Sequence, residues 1–270
     1  MARRPAVAAH RGGARLWPEN SLRAFREALA LGVDLLELDV HRTADGTLAV
    51  IHDPTLERTT DARGEVGALT GADLRRPRLR GPDGTLTDER IPRLEEVLAL
   101  VAPSRAGLLL EVKGPEAGVA VRYERAGVSV RSVPGARYEG LEAAVFEALA
   151  RTGLVGRTTL LAFNPAVLRT VHALAPGMRT ALLVAQEHVR DVGAAPADAI
   201  AWAAAAGASD AGLQHTLVDG AVVAAARAAG LVLGVWTVND EAALRRLTAL
   251  GVDVLTSDRP DVALRVVGAR

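Results

Sequence analysis

Residues 30–40 read Ala30-Leu-Gly-Val-Asp-Leu35-Leu-Glu-Leu-Asp-Val40. The amphipathic stretch before them stops at Gly32, as a helix stops at a C′ glycine, and a strand-like run follows at once. The same order returns at Ala228-Ala-Gly-Leu-Val232 and at Ala249-Leu-Gly-Val-Asp253. Helices that end on glycine and lead straight into buried strands are typical of a parallel α/β fold.

This alternation of strand and helix runs through most of the chain. Strands are predicted at Ala6–His10, Asp34–Val40, Leu108–Val112, Thr158–Phe163, Arg179–Val184, Ala208–Leu213, Val232–Trp236 and Val252–Leu255. Helices are predicted at Ser21–Leu31, Leu94–Val101, Leu141–Thr152, Ala166–Leu174, Pro196–Ala206, Asp219–Ala229 and Glu241–Leu250. Eight such units in 270 residues favour a TIM (β/α)₈ barrel. A doubly wound open sheet is the alternative, which usually has a Gly-rich phosphate loop after its first strand.

Two long stretches break the alternation. After a short extra strand at Thr47–His52, residues 54–90 are rich in Gly, Pro, Asp, Arg and Thr and contain no convincing strand or long helix. A second irregular stretch, Gly114–Glu139, also follows a strand. Long loops in compact domains are usually functional or form small subdomains. We expect residues 1–270 to form one domain, with an insertion at about 54–90 and both stretches over the same barrel mouth.

Composition excludes several classes of protein. Lys and Arg total 32 and Asp and Glu total 32, so the chain lacks the basic excess that binds nucleic acids or acidic membranes. It contains no cysteine, which excludes disulfides and thiolate-bound metals. No apolar run reaches the roughly 20 residues of a membrane span, and Pro5–Ala9 is too short for the apolar core of a signal peptide. We expect a cytoplasmic protein without stable membrane insertion.

Three carboxylates are predicted to share the inside of the barrel. Side chains of a strand alternate between its two faces, so Glu37 and Asp39 point the same way, and the apolar residues between them point outward to the helices. Glu111 repeats this pattern on its own strand. Carboxylates at adjacent strand ends make an oxygen site suited to one divalent cation, Mg²⁺ or Ca²⁺. A layer of salt bridges to Arg11 or Lys113 is the alternative interpretation.

Two histidines close predicted strands at the same mouth. His10 ends the first strand and His52 ends the short extra strand. Histidine titrates near neutral pH, so two of them can act as general acid and general base. His41 follows the strand of Glu37 and Asp39, and we expect it to face away from these carboxylates.

Positive charge and one aromatic residue complete the predicted site. Arg11 and Lys113 lie beside the carboxylates and are suited to hold a phosphate. Lys113 is the only lysine among 32 basic residues, which indicates a position that needs a compact ammonium. Trp236 closes another strand and is expected either to form an apolar wall over a substrate or to pack in the core.

Several motifs together resemble the glycerophosphodiester phosphodiesterase family. The N-terminal block is the most specific and reads His10-Arg-Gly-Gly, Pro18-Glu-Asn-Ser-Leu-Arg-Ala-Phe, Glu37-Leu-Asp39-Val, Thr43-Ala-Asp-Gly-Thr-Leu-Ala-Val-Ile-His52-Asp53-Pro and Arg58-Thr-Thr. Weaker motifs follow in the family's order: Glu111-Val-Lys113, Phe163-Asn-Pro, Trp236-Thr-Val-Asn, Gly251-Val-Asp and Thr256-Ser-Asp-Arg-Pro. The resemblance covers nearly the whole chain.

This resemblance implies a fold, a reaction and a set of site residues. The family fold is a TIM barrel with a small subdomain inserted after the His-Asp motif, here about Pro54–Arg90. The family cleaves glycerophosphodiesters to glycerol 3-phosphate and an alcohol. The implied metal ligands are Glu37, Asp39 and Glu111, the implied acid/base histidines are His10 and His52, and the implied phosphate contacts are Arg11 and Lys113. Of the two histidines, we expect His10 to be the base and His52 the acid. Gly114–Tyr138 is longer than the family pattern, and few aromatics are available to cage a choline ammonium.

Two other functions remain open. A related barrel phosphodiesterase would act on lysophospholipids or phosphoinositide head groups. A non-catalytic barrel would only bind phosphorylated ligands. The sequence does not decide the oligomeric state or the choice of head group.

Overall fold

The structure of the chain is a computed structural model that describes residues 4–116, 120–127 and 129–268. Its strands are β1 (Ala6–Ala9), β2 (Leu35–Arg42), β3 (Leu48–Val50), β4 (Arg78–Arg80), β5 (Leu86–Arg90), β6 (Gly107–Val112), β7 (Val121–Ala126), β8 (Ser129–Pro134), β9 (Thr158–Ala162), β10 (Arg179–Val184), β11 (Asp210–Gln214), β12 (Val232–Trp236) and β13 (Val254–Ser257). Its helices are α1 (Leu22–Leu31), α2 (Leu94–Val101), α3 (Leu141–Arg151), α4 (Pro165–Leu174), α5 (Gln186–Asp191), α6 (Asp198–Ala205), α7 (Gly220–Ala228), α8 (Glu241–Leu250) and α9 (Pro260–Val267).

Eight parallel strands close into a barrel in the order β1, β2, β6, β9, β10, β11, β12, β13. The barrel is closed because β1 pairs with β2 on one side and with β13 on the other. The outward side chains of β2, Leu36, Leu38 and Val40, are fully buried in the apolar layer beneath the helices. The predicted TIM barrel is confirmed, and the open-sheet alternative is wrong.

Local signals in the sequence set where helices begin and end. Ser21 caps α1 by accepting a hydrogen bond from the backbone N–H of Ala24, and Asp240 caps α8 in the same way. Gly32 and Gly251 follow α1 and α8 with φ angles of 81° and 82°, which glycine adopts without the cost of a Cβ. These caps place each following strand directly after its helix, as predicted.

The first strand is one residue shorter than predicted. β1 ends at Ala9, and His10–Gly12 form a tight 3₁₀ turn in which Arg11 has a φ of 51°. Gly12 has a φ of 80°, and a Cβ there would lie 2.6 Å from the Cβ of Ala24. The turn therefore requires glycine, and it bends the chain sharply over the barrel mouth. The strands predicted at Ala208–Leu213 and Val252–Leu255 begin two residues later, at Asp210 and Val254.

The insertion after β3 forms a small unit of its own. It contains two 3₁₀ turns, Val66–Ala68 and Asp73–Arg75, and the antiparallel pair β4–β5. These elements surround a separate apolar cluster that includes Leu56, Val66 and Leu74. Because its elements are short, the segment showed no strand or helix signal in the sequence.

The second long stretch is not irregular, contrary to the prediction. Within Gly114–Glu139, β7 and β8 form an antiparallel hairpin from Val121↔Pro134 to Ala126↔Ser129. Its strands mix charged, small polar and apolar residues and bury little, so they lack the apolar signal of a barrel strand. Residues 117–119 and 128 lie outside the described part of the stretch.

Two helices were missed. α5 has six residues, which is too short for a clear helical period, and α9 begins at Pro260 directly after the Thr-Ser-Asp-Arg motif. Proline is favoured in the first turn of a helix, so α9 carried a usable signal. Within the described part of the chain, no helix is long and apolar enough to cross a membrane.

Candidate active site

Three buried carboxylates converge at the carboxyl ends of β2 and β6. Glu37 and Asp39 lie on β2, and Glu111 lies opposite Asp39 in the register of the two strands. Their exposed fractions are 3%, 1% and 8%. One oxygen atom from each lies within 4.8 Å of the others. The alternation of β2 thus places these side chains together, where a cation must balance them.

The donor set fits a divalent cation. The Asp39 Oδ1 atom is buried and accepts no hydrogen bond from the described residues, although the Lys113 Nζ atom lies 3.4 Å away. Burial and the neighbouring charge of Asp39 raise the pKa of Glu37 to about 7. Both features are expected of carboxylates arranged for a cation, and a site made only of carboxylate oxygens suits a hard ion such as Mg²⁺ or Ca²⁺.

Arg11 and Lys113 lie directly against these carboxylates. The Lys113 Nζ atom is 2.8 Å from Glu111 Oε1 and 3.4 Å from Asp39 Oδ1. The Arg11 backbone N–H donates to Glu37 Oε2 at 2.8 Å, and its Nε is 3.4 Å from Asp39 Oδ2. Burial opposes the charged form of Asp39, but Lys113 and Arg11 outweigh it and lower the Asp39 pKa. The salt bridges of the alternative interpretation are therefore present around the same cluster.

The charge count leaves room for a metal and a phosphate. Three carboxylates face two cationic side chains in this cluster. A divalent cation together with a phosphodiester monoanion would bring the formal charge of the site to zero. The ion pairs and a metal site are thus compatible features of one arrangement.

His10 is held by a carboxylate from the far end of the chain. Its Nδ1–H donates to Asp258 Oδ1 at 2.6 Å, and its Nε2 is 3.9 Å from Glu37 Oε2. Asn239 fixes Asp258 by donating from Nδ2 to Oδ2 at 2.6 Å and by accepting the Asp258 backbone N–H at 2.9 Å. Against the effect of burial, the bonds from His10 and Asn239 lower the Asp258 pKa. The ionised carboxylate leaves His10 Nε2 directed to the site.

His52 has the same kind of partner, supplied by the next residue. Its Nδ1–H donates to Asp53 Oδ1 at 2.6 Å. Arg58 donates to both Asp53 oxygens, at 2.6 Å and 3.0 Å, and to both oxygens of Glu19, at 2.7 Å and 2.8 Å. Glu19 in turn accepts from Arg11 at 3.0 Å. Against the effect of burial, the bonds from His52 and Arg58 lower the Asp53 pKa.

His41 does not face away from the site, contrary to the prediction. It is two residues after Asp39 on the same strand, so alternation places it on the carboxylate face. The ring is fully buried, and its Nε2 is 2.9 Å from the backbone oxygen of His52. Burial lowers the His41 pKa to about 4, so the ring is neutral at neutral pH.

Two adjoining cavities open beside these groups. The inner cavity, of about 130 Å³, lies inside the barrel between the polar cluster and an apolar wall of Leu109, Leu161, Ala181 and Leu183. The outer groove, of about 560 Å³, runs between the first insertion and the segment that carries the β7–β8 hairpin. Trp236 lines both, and its Nε1–H donates to the Gly212 oxygen at 2.9 Å.

The aromatic wall is built from two strand ends. Phe163 meets Trp236 edge to face, with ring centroids 5.5 Å apart, and both rings line the two cavities. Trp236 is thus both packed against neighbours and exposed to the space where a substrate fits.

The sequence-predicted site residues therefore meet at one mouth. His10, Arg11, Glu37, His52, Glu111 and Trp236 line the inner cavity, and His52, Glu111, Lys113 and Trp236 also line the outer groove. The residues that orient the histidines were missed: Glu19, Asp53, Arg58, Asn239 and Asp258. Asn239 and the His52-Asp53 pair carried a usable signal, because Asn239 is one of three asparagines in the chain and follows a predicted strand, and Asp53 directly follows a predicted site histidine. The pairing of His10 with Asp258 carried none, because only the closed barrel brings them together.

Comparisons with known proteins agree with this geometry. The sequence profile of the Glycerophosphoryl diester phosphodiesterase family matches residues 10–262. A glycerophosphodiester phosphodiesterase of Bacillus altitudinis is 33% identical over 96% of this chain and 97% of its own length. One from Caldanaerobacter subterraneus subsp. tengcongensis is 29% identical over 97% of both chains.

Solved structures share the fold. A putative glycerophosphoryl diester phosphodiesterase from Agrobacterium tumefaciens superposes with a TM-score of 0.83 at 29% identity, over 98% of both chains. A phosphodiesterase from Oleispira antarctica, solved with its product sn-glycerol-3-phosphate, has a TM-score of 0.76 at 25% identity over 98% of this chain and 97% of its own. With the profile match across nearly its whole length, the chain belongs to the glycerophosphoryl diester phosphodiesterase family.

Proposed function

We propose that the chain hydrolyses glycerophosphodiesters to glycerol 3-phosphate and an alcohol with the help of a bound divalent cation. The observation that carries this proposal is the convergence of three buried carboxylates and two carboxylate-bound imidazoles at one barrel mouth. Family membership supports the reaction class. The Oleispira antarctica relative, solved with sn-glycerol-3-phosphate, supports the product.

Glu37, Asp39 and Glu111 would hold the cation. Its oxygen ligands suit Mg²⁺ and Ca²⁺ alike, and both are candidates. When bound, a divalent cation neutralises the negative charge that develops on the phosphoryl oxygens.

Arg11 and Lys113 would bind the phosphate. Both already lie within 3.4 Å of the carboxylate cluster, so a phosphate beside the cluster is in reach of a guanidinium and an ammonium. Against the effect of burial, Glu111 and Asp39 raise the Lys113 pKa, which keeps the ammonium charged. An ammonium acts on phosphate as a point charge, whereas a guanidinium can donate two parallel hydrogen bonds.

The first step would be an internal displacement. His10 Nε2 accepts the proton of the glycerol 2-hydroxyl, whose oxygen attacks phosphorus and forms a cyclic phosphate. The bond from phosphorus to the alcohol oxygen breaks, and His52 Nε2–H gives that oxygen its proton. Asp258 stabilises the imidazolium that forms at His10, as a buried carboxylate does for a catalytic histidine.

Hydrolysis would follow with the roles of the histidines exchanged. His52, now neutral, accepts a proton from water, whose oxygen attacks phosphorus. The ring oxygen leaves and takes the proton that His10 holds, which yields glycerol 3-phosphate and returns His10 to the neutral imidazole and His52 to the imidazolium. This route requires a free hydroxyl next to the phosphate, so diacyl phospholipids are expected to be poor substrates.

The outer groove would receive the alcohol that leaves. His52 and Trp236 both line it, so a group attached on the His52 side of the phosphate extends into the groove. The first insertion belongs to the same catalytic unit, because Arg58 at its start bonds both Glu19 of the barrel mouth and Asp53. We therefore treat the barrel and the insertion at 54–90 as one phosphodiesterase domain.

A coupled assay for glycerol 3-phosphate tests the proposal. Purified protein is given glycerophosphoethanolamine with EDTA, and then with Mg²⁺ or Ca²⁺ restored. We expect release that EDTA abolishes and that one of the two cations restores. No release with either cation would contradict the proposal.

Parallel substrates separate the alternatives. Activity on lysophosphatidylcholine without activity on glycerophosphocholine would favour a lysophospholipid phosphodiesterase. Binding of glycerol 3-phosphate without turnover of any diester would favour a non-catalytic barrel.

A further inference from the structure

His41 links two segments that flank the barrel mouth. Its ring is fully buried on β2, next along the same face from Glu37 and Asp39. Its Nε2 is 2.9 Å from the backbone oxygen of His52, and its Nδ1 is 3.1 Å from the hydroxyl of Tyr138. Two hydrogen bonds through the His41 ring thus join His52, the proposed acid, to Tyr138 at the end of the Gly114–Glu139 stretch.

The direction of these bonds follows from the atoms involved. The His52 carbonyl oxygen can only accept, so His41 Nε2 carries the hydrogen and donates it. In the neutral ring Nδ1 is then an acceptor, and the Tyr138 hydroxyl must donate to it. Burial raises the Tyr138 pKa to about 12, so the hydroxyl retains its proton at neutral pH. The chain of donation runs from Tyr138 through His41 to His52.

Among the described residues, the other backbone tie near His52 is made by the residue before it. β3 ends at Val50, and His52 lies beyond it at the start of the first insertion. The N–H of Ile51 donates to the Asp39 backbone oxygen at 3.1 Å, which ties the residue before His52 to the strand of the carboxylates. The bond from His41 adds a second tie to that strand, at the carbonyl of His52 itself.

Tyr138 is held firmly at the other end. Its ring meets the His41 ring edge to face, with centroids 5.8 Å apart at an interplanar angle of 86°. Arg42, the residue after His41, donates to the backbone oxygen of Glu139, the residue after Tyr138. The end of the second long stretch is therefore fixed to β2 at two consecutive positions.

We infer that His41 and Tyr138 are positioning residues for His52, the proposed acid of the reaction. The inference rests on the proposed function, because it assigns the pair a role in protonating the alcohol that leaves. A shift of the His52 backbone moves its imidazole away from the oxygen to which it gives a proton. Misplacement by about 1 Å can cost about 10²-fold in rate even when binding is intact.

The choice of leaving group makes this role measurable. Ethanolamine must receive a proton as it leaves, whereas p-nitrophenolate is a stable anion and leaves without one. Tyr138→Phe and His41→Met are therefore assayed on glycerophosphoethanolamine and on the p-nitrophenyl diester of glycerol 3-phosphate. We expect kcat on the first substrate to fall about 10-fold for Tyr138→Phe and about 10²-fold for His41→Met. On the second substrate the readout is release of p-nitrophenolate in the first turnover, because the later hydrolysis of the cyclic phosphate uses His52 as base for either substrate. Both variants should stay within about 2-fold of wild type in that release.

Two further variants sharpen the test. His41→Gln keeps an N–H donor near the His52 carbonyl and should recover at least part of the activity that His41→Met loses. Thr180→Val is the matched control: it also removes a hydroxyl that bonds an imidazole, since Thr180 lies 2.9 Å from His172 Nε2, but near the amino ends of the strands. It should leave turnover of both substrates unchanged.

His52→Ala is the reference variant. It separates the role of His52 as the acid from the positioning role of His41 and Tyr138. If it shows the leaving-group selectivity and the Tyr138 and His41 variants lose both substrates equally, or lose neither, the positioning role is overturned and the proposed function stands. If His52→Ala itself loses both substrates equally, the assignment of His52 as the acid fails, and the positioning role fails with it.

Discussion

The two imidazole–carboxylate pairs at the barrel mouth have the same geometry but different construction. His10 and Asp258 are 248 positions apart, and they meet because β1 and β13 are neighbours in the closed barrel. His52 and Asp53 are consecutive and lie after β3, where the first insertion begins. In both pairs an Nδ1–H donates to a carboxylate at 2.6 Å.

The supports of the two pairs differ as well. Asp258 is held by Asn239, which follows a neighbouring barrel strand. Asp53 is held by Arg58 of the insertion, and the His52 carbonyl is held by His41. The side chain of His10 is 15% exposed and that of His52 is 31% exposed.

This difference separates two tasks within one site. The proposed base, His10, is held by residues that follow the barrel strands β12 and β13. This half of the site therefore depends on the barrel strands themselves. The proposed acid is held partly by strand β2, through His41, and partly by the added segments, through Arg58 and Tyr138. Changes in these segments can therefore alter protonation of the leaving alcohol while the rest of the site stays in place.

The largest effect is expected at the carboxylate cluster of Glu37, Asp39 and Glu111. Glu37→Gln removes one charge from this cluster, and it should lower kcat/KM by about 10³-fold or more. Because the cluster serves both halves of the reaction, glycerophosphoethanolamine and the p-nitrophenyl diester should lose equally. Calorimetric titration with Mg²⁺ and Ca²⁺ should show weakened binding. Wild-type metal affinity and activity would mean that Glu37 is not a ligand.

A smaller and asymmetric effect is expected from the carboxylate partners. Asp258→Asn removes the charge that stabilises the His10 imidazolium and should lower kcat about 10²–10³-fold on both substrates. Asp53→Asn acts on the acid and should lower kcat about 10²-fold on glycerophosphoethanolamine, but it should slow the first-turnover release of p-nitrophenolate much less. Turnover of glycerophosphoethanolamine and single-turnover release of p-nitrophenolate measure this contrast. Identical profiles for the two variants would break the distinction between the pairs.

The smallest effect concerns the stability of the fold below neutral pH. The pKa of His41 is about 4 in the folded protein and near its ordinary value of 6.5 in the unfolded chain, so the unfolded chain binds more protons between these values. Stability from the neutral ring is therefore fully present above about pH 6.5, and it is lost progressively as the pH falls from there to about 4. Between pH 7 and pH 4.5 the free energy of unfolding should fall about 2–3 kcal/mol more for wild type than for His41→Gln. Urea unfolding at both pH values measures it, and equal losses would contradict the buried neutral state.

Much of the barrel could be predicted from the sequence because its signals are local. Glycines such as Gly32 stop helices and lead into strands, and the alternation of β2 places Glu37 and Asp39 on one face. The hairpin at β7–β8 was missed because its strands are mostly exposed, so no apolar period marks them. His41 was misplaced although strict alternation from Asp39 gives the correct face.

The site could be predicted in part. Residues at strand ends, such as His10 and Glu111, are gathered by the barrel topology, and the resemblance to a family named them as well. The partners of the histidines follow from contacts between distant segments. Asp258 reaches His10, and Tyr138 reaches His41, only after the barrel closes and the second long stretch folds back onto β2.

The most direct test of the account compares His10→Ala with His52→Ala on the two leaving groups. A base and an acid at one site predict that His10→Ala loses about 10²–10⁴-fold on both substrates. His52→Ala should lose as much on glycerophosphoethanolamine but little in the first-turnover release of p-nitrophenolate, which precedes the hydrolysis step that uses His52 as base. If both variants lose the two substrates equally, or if the selectivity belongs to His10→Ala, the assignment of His10 as base and His52 as acid is contradicted.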